Sequence, residues 1–100
     1  MIVAELSILP VGTGRTGVSE YVKAAIGALK QADVRIVPRA MATEIEAKDL
    51  ETLLFAVKLA HEAVVAKGAK RVVTTLRIDH RLDKEASIES KLRSIGSYDE

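Results

Sequence analysis

Three glycines near the N-terminus have the spacing of a dinucleotide-binding turn. Gly12, Gly14 and Gly17, in the stretch PVGTGRTG, spell G-x-G-x-x-G. In a nucleotide-binding unit this turn follows a strand, its last glycine lies inside the next helix, and the chain continues into a parallel strand that ends in an acidic residue. Here all three glycines precede the predicted helix, and the chain forms two consecutive strands after it. The sequence therefore argues against a dinucleotide site.

The side chains of the same loop are suited to binding a small polar ligand. Thr13 and Thr16 provide hydroxyls, Arg15 provides a positive charge, and the start of the following helix provides free N–H groups. Such groups can hold a small anion or the polar edge of a heterocycle. A second interpretation stays open, in which the threonines and Ser19 only cap the helix.

The two histidines are placed too differently to form a metal site. His61 lies on the apolar side of a predicted helix, and His80 lies in the charged turn DHRLD. Neither has a nucleophile or a second histidine placed to work with it, and the chain has no cysteine, which excludes thiol chemistry and disulfides. We therefore expect a protein that is not an enzyme and that uses no metal and no cofactor.

Composition limits the class of partner. The net charge is +1, with 15 basic and 14 acidic residues interleaved along the chain, and aromatic residues make up only 3%. This balance gives no one-sided field and few stacking surfaces, so we expect no nucleic-acid partner. No apolar run approaches the roughly 20 residues of a membrane span, and from the first residues we expect no secretory leader. We expect a cytoplasmic protein without a membrane partner, folded as one domain over residues 1–100.

Hydrophobic periodicity predicts seven elements that must position these groups. A strand over 2–9 precedes the loop, and a helix begins near Ser19. A hairpin of two short strands over 34–47 is broken at Pro38, and a long helix capped by Asp49 ends at Gly68. A strand over 71–79 and a short helix capped by Asp83 complete the chain. The order β-α-β-β-α-β-α predicts an α+β, ferredoxin-like antiparallel sheet with an added C-terminal helix.

The predicted helices differ in how much apolar surface they have. The long helix has one apolar stripe, formed by Leu50, Leu53, Leu54, Val57, His61 and Val64. The short C-terminal helix has only three apolar residues, Ile88, Leu92 and Ile95, so it must dock on something larger.

One face of the predicted sheet carries the polar residues that could form a site. In a ferredoxin-like fold the helices cover a single face, so the other, here called the open face, is covered by a partner or left wet. Strand alternation places Glu5, Ser7, Thr75 and Arg77 on the open face. From the third strand, either Thr43 and Ile45 or Glu44 and Glu46 join them. We expect this face to form the contacts of a homotetramer, or at least a dimer, with a Glu5–Arg77 ion pair; a small ligand lying nearby is the alternative.

Three segments of the chain resemble one family. AELSILPVGTGRTGVSEYV, MATEIEAKDL and AHEAVVAKGAKRVVTTLRIDHRLD resemble the small YkoF-like thiamine-binding proteins, over nearly the whole chain. Gly14 and Gly17 do not belong to that pattern, which further weakens the dinucleotide interpretation. His80 and Leu82 also depart from it, replacing an acidic and a basic residue.

The resemblance implies a ferredoxin-like fold, assembly through sheet contacts, and binding of thiamine or its hydroxymethylpyrimidine moiety without catalysis. The implied ligand-binding residues are Glu5, Thr13, Thr16, Ser19, Tyr21, Thr43 and Glu46. Their chemistry is compatible, since carboxylates and hydroxyls can satisfy the donor edge and the ring acceptors of an aminopyrimidine. The alternative is a structural or regulatory oligomer that has no small-molecule ligand.

Overall fold

The computed structural model describes residues 1–14 and 17–96, which form seven elements in the predicted order. These are β1 (Ile2–Pro10), α1 (Ser19–Leu29), β2 (Val34–Pro38), β3 (Thr43–Ala47), α2 (Leu50–Ala66), β4 (Val72–Asp79) and α3 (Ile88–Ser94). The strands pair in the order β2-β3-β1-β4, and every pairing is antiparallel. The predicted ferredoxin-like α+β fold with an added C-terminal helix is confirmed.

The main core lies between the sheet and the helices α1 and α2. Alternation along β1 directs Ile2, Ala4 and Leu6 into it, and all three are at most 3% exposed. On α2 the buried residues are Leu53, Ala56, Ala60 and Val64. Because two of these four are alanines, α2 can lie close to the elements it packs against.

The predicted stripe of α2 is wrong at two leucines. Leu50 is 43% exposed and Leu54 is 47% exposed, whereas the two alanines named above are fully buried. Side-chain size misled the pattern, since leucine outweighs alanine in any hydrophobic periodicity. The face that packs is instead selected by how closely the helix can approach its neighbours.

The start of α2 follows the prediction. The Asp49 carboxylate accepts a hydrogen bond from the Thr52 backbone N–H at 2.7 Å, as an N-cap does. Hydrogen bonding to Thr52 also holds the pKa of Asp49 below its ordinary value. At the other end, Gly68 has a φ of +102° just after the helix, a conformation that favours glycine.

The predicted caps of the other two helices are wrong. Ser19 is the first residue of α1, and the residue before it is Val18, whose side chain cannot cap. Asp83 does not cap α3, because it pairs with Arg81 at 2.8 Å. Ser87 takes that role, and its hydroxyl accepts from the Ser90 N–H at 3.0 Å.

The short helix α3 docks on the open face. Its first N–H group, that of Ile88, donates to the carboxylate of Glu46 at 2.6 Å, and Glu46 lies opposite Val3 on that face. The expectation that helices cover only one face is therefore wrong in part. None of the helices within residues 1–14 and 17–96 has the length and apolar character needed to span a membrane.

Candidate functional site

The register of β3 decides which of its side chains reach the open face. Glu44 lies opposite Glu5, and Glu46 lies opposite Val3. Of the two alternatives left by the sequence, the pair Glu44 and Glu46 is therefore the one on the open face. Thr43, opposite Leu6, points with it towards α1 and α2.

A cavity of about 250 Å³ lies between the open face and α3, and we call it the α3 cavity. The sheet contributes most of its lining, through residues of β1, β3 and β4, and α3 forms one wall. Its lining side chains that face one another are those of Val3, Glu5, Glu44, Arg77, Asp79, Ile88, Lys91 and Leu92.

Carboxylates outnumber cations in the lining of the α3 cavity. Three acidic residues face two basic ones there. Glu5 lies 3.5 Å from Arg77, whose side chain is 79% exposed, and Asp79 contacts Lys91. Exposed pairs of this kind are weak because water screens them.

The most informative pair of acids is Glu5 and Glu44. They are directly opposite each other on neighbouring antiparallel strands, where like charges destabilise a sheet. Arg39 lies 3.4 Å from the Glu44 carboxylate. Each carboxylate thus has an exposed arginine beside it, Arg77 or Arg39, and a bound cation would relieve what remains of their mutual repulsion.

Glu46 lies beneath α3 and is not part of the cavity lining. It is 6% exposed, and besides the Ile88 N–H it accepts from Arg35 at 3.2 Å. Arg35 also donates to Glu89 on α3 at 2.9 Å, and this hydrogen bond holds the pKa of Glu89 below its ordinary value. Glu46 thus anchors α3 to the sheet.

The glycine-rich loop leaves the sheet at the opposite end of β1. Val11 continues the pairing with β4, donating to the Arg71 carbonyl at 2.8 Å. At about 3.3 Å per residue along the strand, Val11 is about 20 Å from Glu5. It is about 26 Å from Val3, the residue opposite Glu46. Thr13 is only two residues further on, so the structure does not bring it together with Glu5 or Glu46. Arg15 and Thr16 lie outside the described residues.

The other predicted ligand residues lie on the helix side of the sheet. Tyr21 is 7% exposed and packs in the main core. Ser19 is exposed at the start of α1. Of the predicted positions that the structure describes, Glu5 and Glu46 lie on the open face, Ser19, Tyr21 and Thr43 lie on the helix side, and only Glu5 lines the α3 cavity.

Several residues that line the α3 cavity were not predicted as ligand residues. The main reason is that the position of α3 could not be predicted. Lys91 and Leu92 lie on a helix whose docking face no pattern in the sequence reveals. Arg77 and Asp79 point to the same side of β4 as Thr75. Strand alternation therefore placed Arg77 on the open face, but it did not mark Arg77 as a ligand residue.

The histidines lie away from this cavity. The Nδ1 atom of His61 is 2.6 Å from the Thr74 hydroxyl, on the helix side of β4, and His80 is exposed after β4. Within residues 1–14 and 17–96, no group of three or more His, Cys, Asp or Glu side chains is arranged to hold a metal ion.

The fold and the cavity define a ferredoxin-like domain with an acidic cavity beneath its C-terminal helix. A sequence model of the family described as thiamine-binding protein matches residues 4–96. The chain therefore belongs to the thiamine-binding protein family.

Relatives from archaea and bacteria match over nearly their full length. A UPF0045 protein of Methanothermobacter thermautotrophicus is 48% identical over 95 residues, covering 95% of this chain and 96% of the relative. The UPF0045 protein YqgV of Bacillus subtilis is 35% identical over 102 residues, covering 98% and 97%.

Solved structures support the fold. A hypothetical protein of Methanocaldococcus jannaschii has a TM-score of 0.88 at 47% identity, covering 96% of each chain. A protein of Thermotoga maritima, described as a candidate thiamine biosynthesis/salvage protein, has a TM-score of 0.76 at 23% identity, covering 94% of this chain and 97% of its own. At that identity the likeness concerns the fold alone.

Proposed function

We propose that this protein is a cytoplasmic oligomer that binds thiamine or its hydroxymethylpyrimidine moiety, without catalysis, in the α3 cavity. Membership of the thiamine-binding protein family supports the class of ligand. The observation that carries the choice of site is the opposed pair of carboxylates, Glu5 and Glu44, at its floor.

The chemistry of the lining suits this ligand. The amino group of the pyrimidine can donate to a carboxylate, and the thiazolium ring of thiamine carries the positive charge that the opposed pair favours. Val3, Ile88 and Leu92 provide apolar surface for a ring. A volume of about 250 Å³ is slightly below the usual range for sites of drug-sized ligands, which suits a molecule of one or two rings.

The same charges predict discrimination against phosphate esters. A phosphate brought near Glu5, Glu44 and Asp79 is repelled by three carboxylates, and the cations beside them already have these carboxylates as partners. We expect thiamine to bind more tightly than its phosphates. Calorimetry with thiamine, its mono- and diphosphate and hydroxymethylpyrimidine tests this order. Absence of heat with every compound up to millimolar concentration would exclude the proposed function.

A second candidate is a structural or regulatory oligomer without a ligand. Leu9 is 49% exposed and Val73 is 43% exposed, and they lie opposite each other on the part of the open face away from α3. Apolar residues so placed suit a subunit contact. Thermal denaturation separates the two candidates, since a ligand at 100 times its Kd adds about 2.7 kcal/mol to the free energy of unfolding. A purely structural role predicts no shift.

A further inference from the structure

The wall that α3 forms over the cavity has little apolar packing. Ile88 is the buried residue of α3, and just before the helix Ala86 is 7% exposed. Leu92 is half-buried, and Ile95 is 72% exposed. A seven-residue helix has no stability of its own in water, so contacts with the sheet hold α3 in place.

Those contacts are mainly polar, and they reach three strands. Arg35 of β2 pairs with Glu89 at 2.7 Å, and Asp79 of β4 contacts Lys91. Both pairs are at least partly exposed, with Arg35 at 49% and Asp79 at 51%. The third contact, from Glu46 of β3 to the Ile88 N–H, is the buried one. A charge-assisted hydrogen bond shielded from water is the strongest of the three.

The chain before α3 is suited to act as a hinge. Residues 80–85, between β4 and the buried Ala86, have exposed side chains. Their rotation would lift residues 86–96 as a unit while leaving the four-stranded sheet intact. The segments that open locally in proteins are those with few buried apolar contacts.

We propose that residues 86–96 form a movable wall of the α3 cavity, here called the lid, and that Glu46 is the latch that holds this wall against the sheet. The inference rests on the proposed function, since a wall that contacts the ligand affects how fast the ligand enters and leaves. Opening exchanges the Glu46–Ile88 hydrogen bond for hydrogen bonds to water, while the carboxylate keeps its contact with Arg35. Glu46 is thus a positioning residue, because it acts through α3 and does not line the cavity.

Hydrogen exchange of the ligand-free protein tests the lid without any ligand. In the wild type, we expect the amides of residues 88–94 to exchange at similar, correlated rates, faster than those of β1. Glu46→Gln keeps the shape of the side chain but removes its charge. It should accelerate exchange of these amides about tenfold, which corresponds to weakening one charged hydrogen bond, while β1 and β4 are unaffected.

Two control variants separate the latch from its surroundings. Glu44→Gln removes a carboxylate of the same strand that does not touch α3, and it should leave exchange of α3 unchanged. Glu89→Gln removes an exposed anchor and should accelerate exchange by less than Glu46→Gln. Protection of α3 equal to that of β1 in the wild type, or equal acceleration of α3 and β1 in Glu46→Gln, would overturn the proposal.

Ligand kinetics then distinguish failure of the lid from failure of the proposed function. With thiamine as the probe, surface plasmon resonance on immobilised protein should show Glu46→Gln raising the association and dissociation rates together, each several-fold, with a smaller change in Kd. If thiamine does not bind at all, the proposed function fails, while hydrogen exchange still decides the lid. If thiamine binds but both rates are unchanged in Glu46→Gln, the lid fails and the proposed function stands.

Discussion

Two side chains decide the character of the α3 cavity. Glu5 and Glu44 lie opposite each other on the two central strands, where an uncharged pair would stabilise the sheet better. Glu5 is about half exposed and Glu44 about one-third exposed, so water relieves only part of the repulsion. Such a local conflict with stability is typical of a binding site.

Removing one charge of this pair should therefore change stability and binding in opposite directions. We expect Glu44→Gln to raise the free energy of unfolding without ligand by about 0.2–1 kcal/mol. The same substitution should weaken thiamine binding about tenfold, because a charged hydrogen-bond partner is lost. Urea denaturation and calorimetry measure the two effects.

Glu62→Gln is the control for this prediction. Glu62 is an exposed carboxylate on α2, on the helix side of the sheet, and its loss should change neither quantity. A Glu44→Gln protein that binds thiamine as tightly as the wild type would show that the opposed carboxylates do not contact the ligand.

Two neighbouring leucines test which face of α2 packs in the core. Leu53 is 0% exposed and its neighbour Leu54 is 47% exposed. Leu53→Ala should lower the free energy of unfolding by about 2–5 kcal/mol, because it leaves a cavity in the core. Leu54→Ala removes the same atoms from the surface and should cost less than about 1 kcal/mol. Equal losses in chemical denaturation would place both leucines in the core.

The connection between β4 and α3 titrates at low pH. Hydrogen bonding from Arg81 lowers the pKa of Asp83 to about 2, against an unfolded value near 4. A lowered pKa stabilises the fold at pH values above the unfolded pKa, and the contribution is lost as pH falls through about 2. NMR titration should give that midpoint for the Asp83 carboxyl, and Arg81→Met should raise it towards the unfolded value. A wild-type midpoint near 4 would mean that the pair does not form in solution.

The elements themselves follow from the sequence, because alternation and helical spacing record which side of each element is buried. Alternation assigned Glu5 and Arg77 to the open face, and Asp49 marked the start of α2. The register of β3 did not follow, since an irregular turn after Pro38 leaves the parity of the next strand undefined. For this reason the sequence left two alternatives for the open face, either Thr43 and Ile45 or Glu44 and Glu46.

The site was harder to predict than the fold, and α3 is the physical reason. A short helix with three apolar residues does not specify the surface on which it docks. Its position decides that Glu46 holds the helix and that Lys91 lines the cavity. The resemblance to a family marks Thr13 and Glu5 together, but strand geometry separates them, so sequence alone overestimated how closely these residues lie.

For the whole molecule, the part of the open face not covered by α3 predicts assembly. Val73→Asp places a charge among apolar neighbours, so it should dissociate an oligomer formed through this face. Val65→Asp is a matched control, because Val65 is also a half-exposed valine (48%) but lies on α2. Light scattering at micromolar concentration should give a mass near 10.8 kDa for Val73→Asp only. A wild-type mass of one chain would exclude the oligomer.

The position of β1 in the sheet has a consequence for how the chain is made. β1 is synthesised first, yet it pairs with β4: Val3 with Asp79 and Pro10 with Val72, roughly 60 residues or more away. β2 and β3 pair across a short turn and can form early, whereas distant pairings form slowly. On the ribosome, the edge of β1 that pairs with β4 therefore stays unpaired until β4 emerges. Until β4 is made, that edge of β1 has unpaired backbone groups, and such edges are where unfinished chains associate with one another.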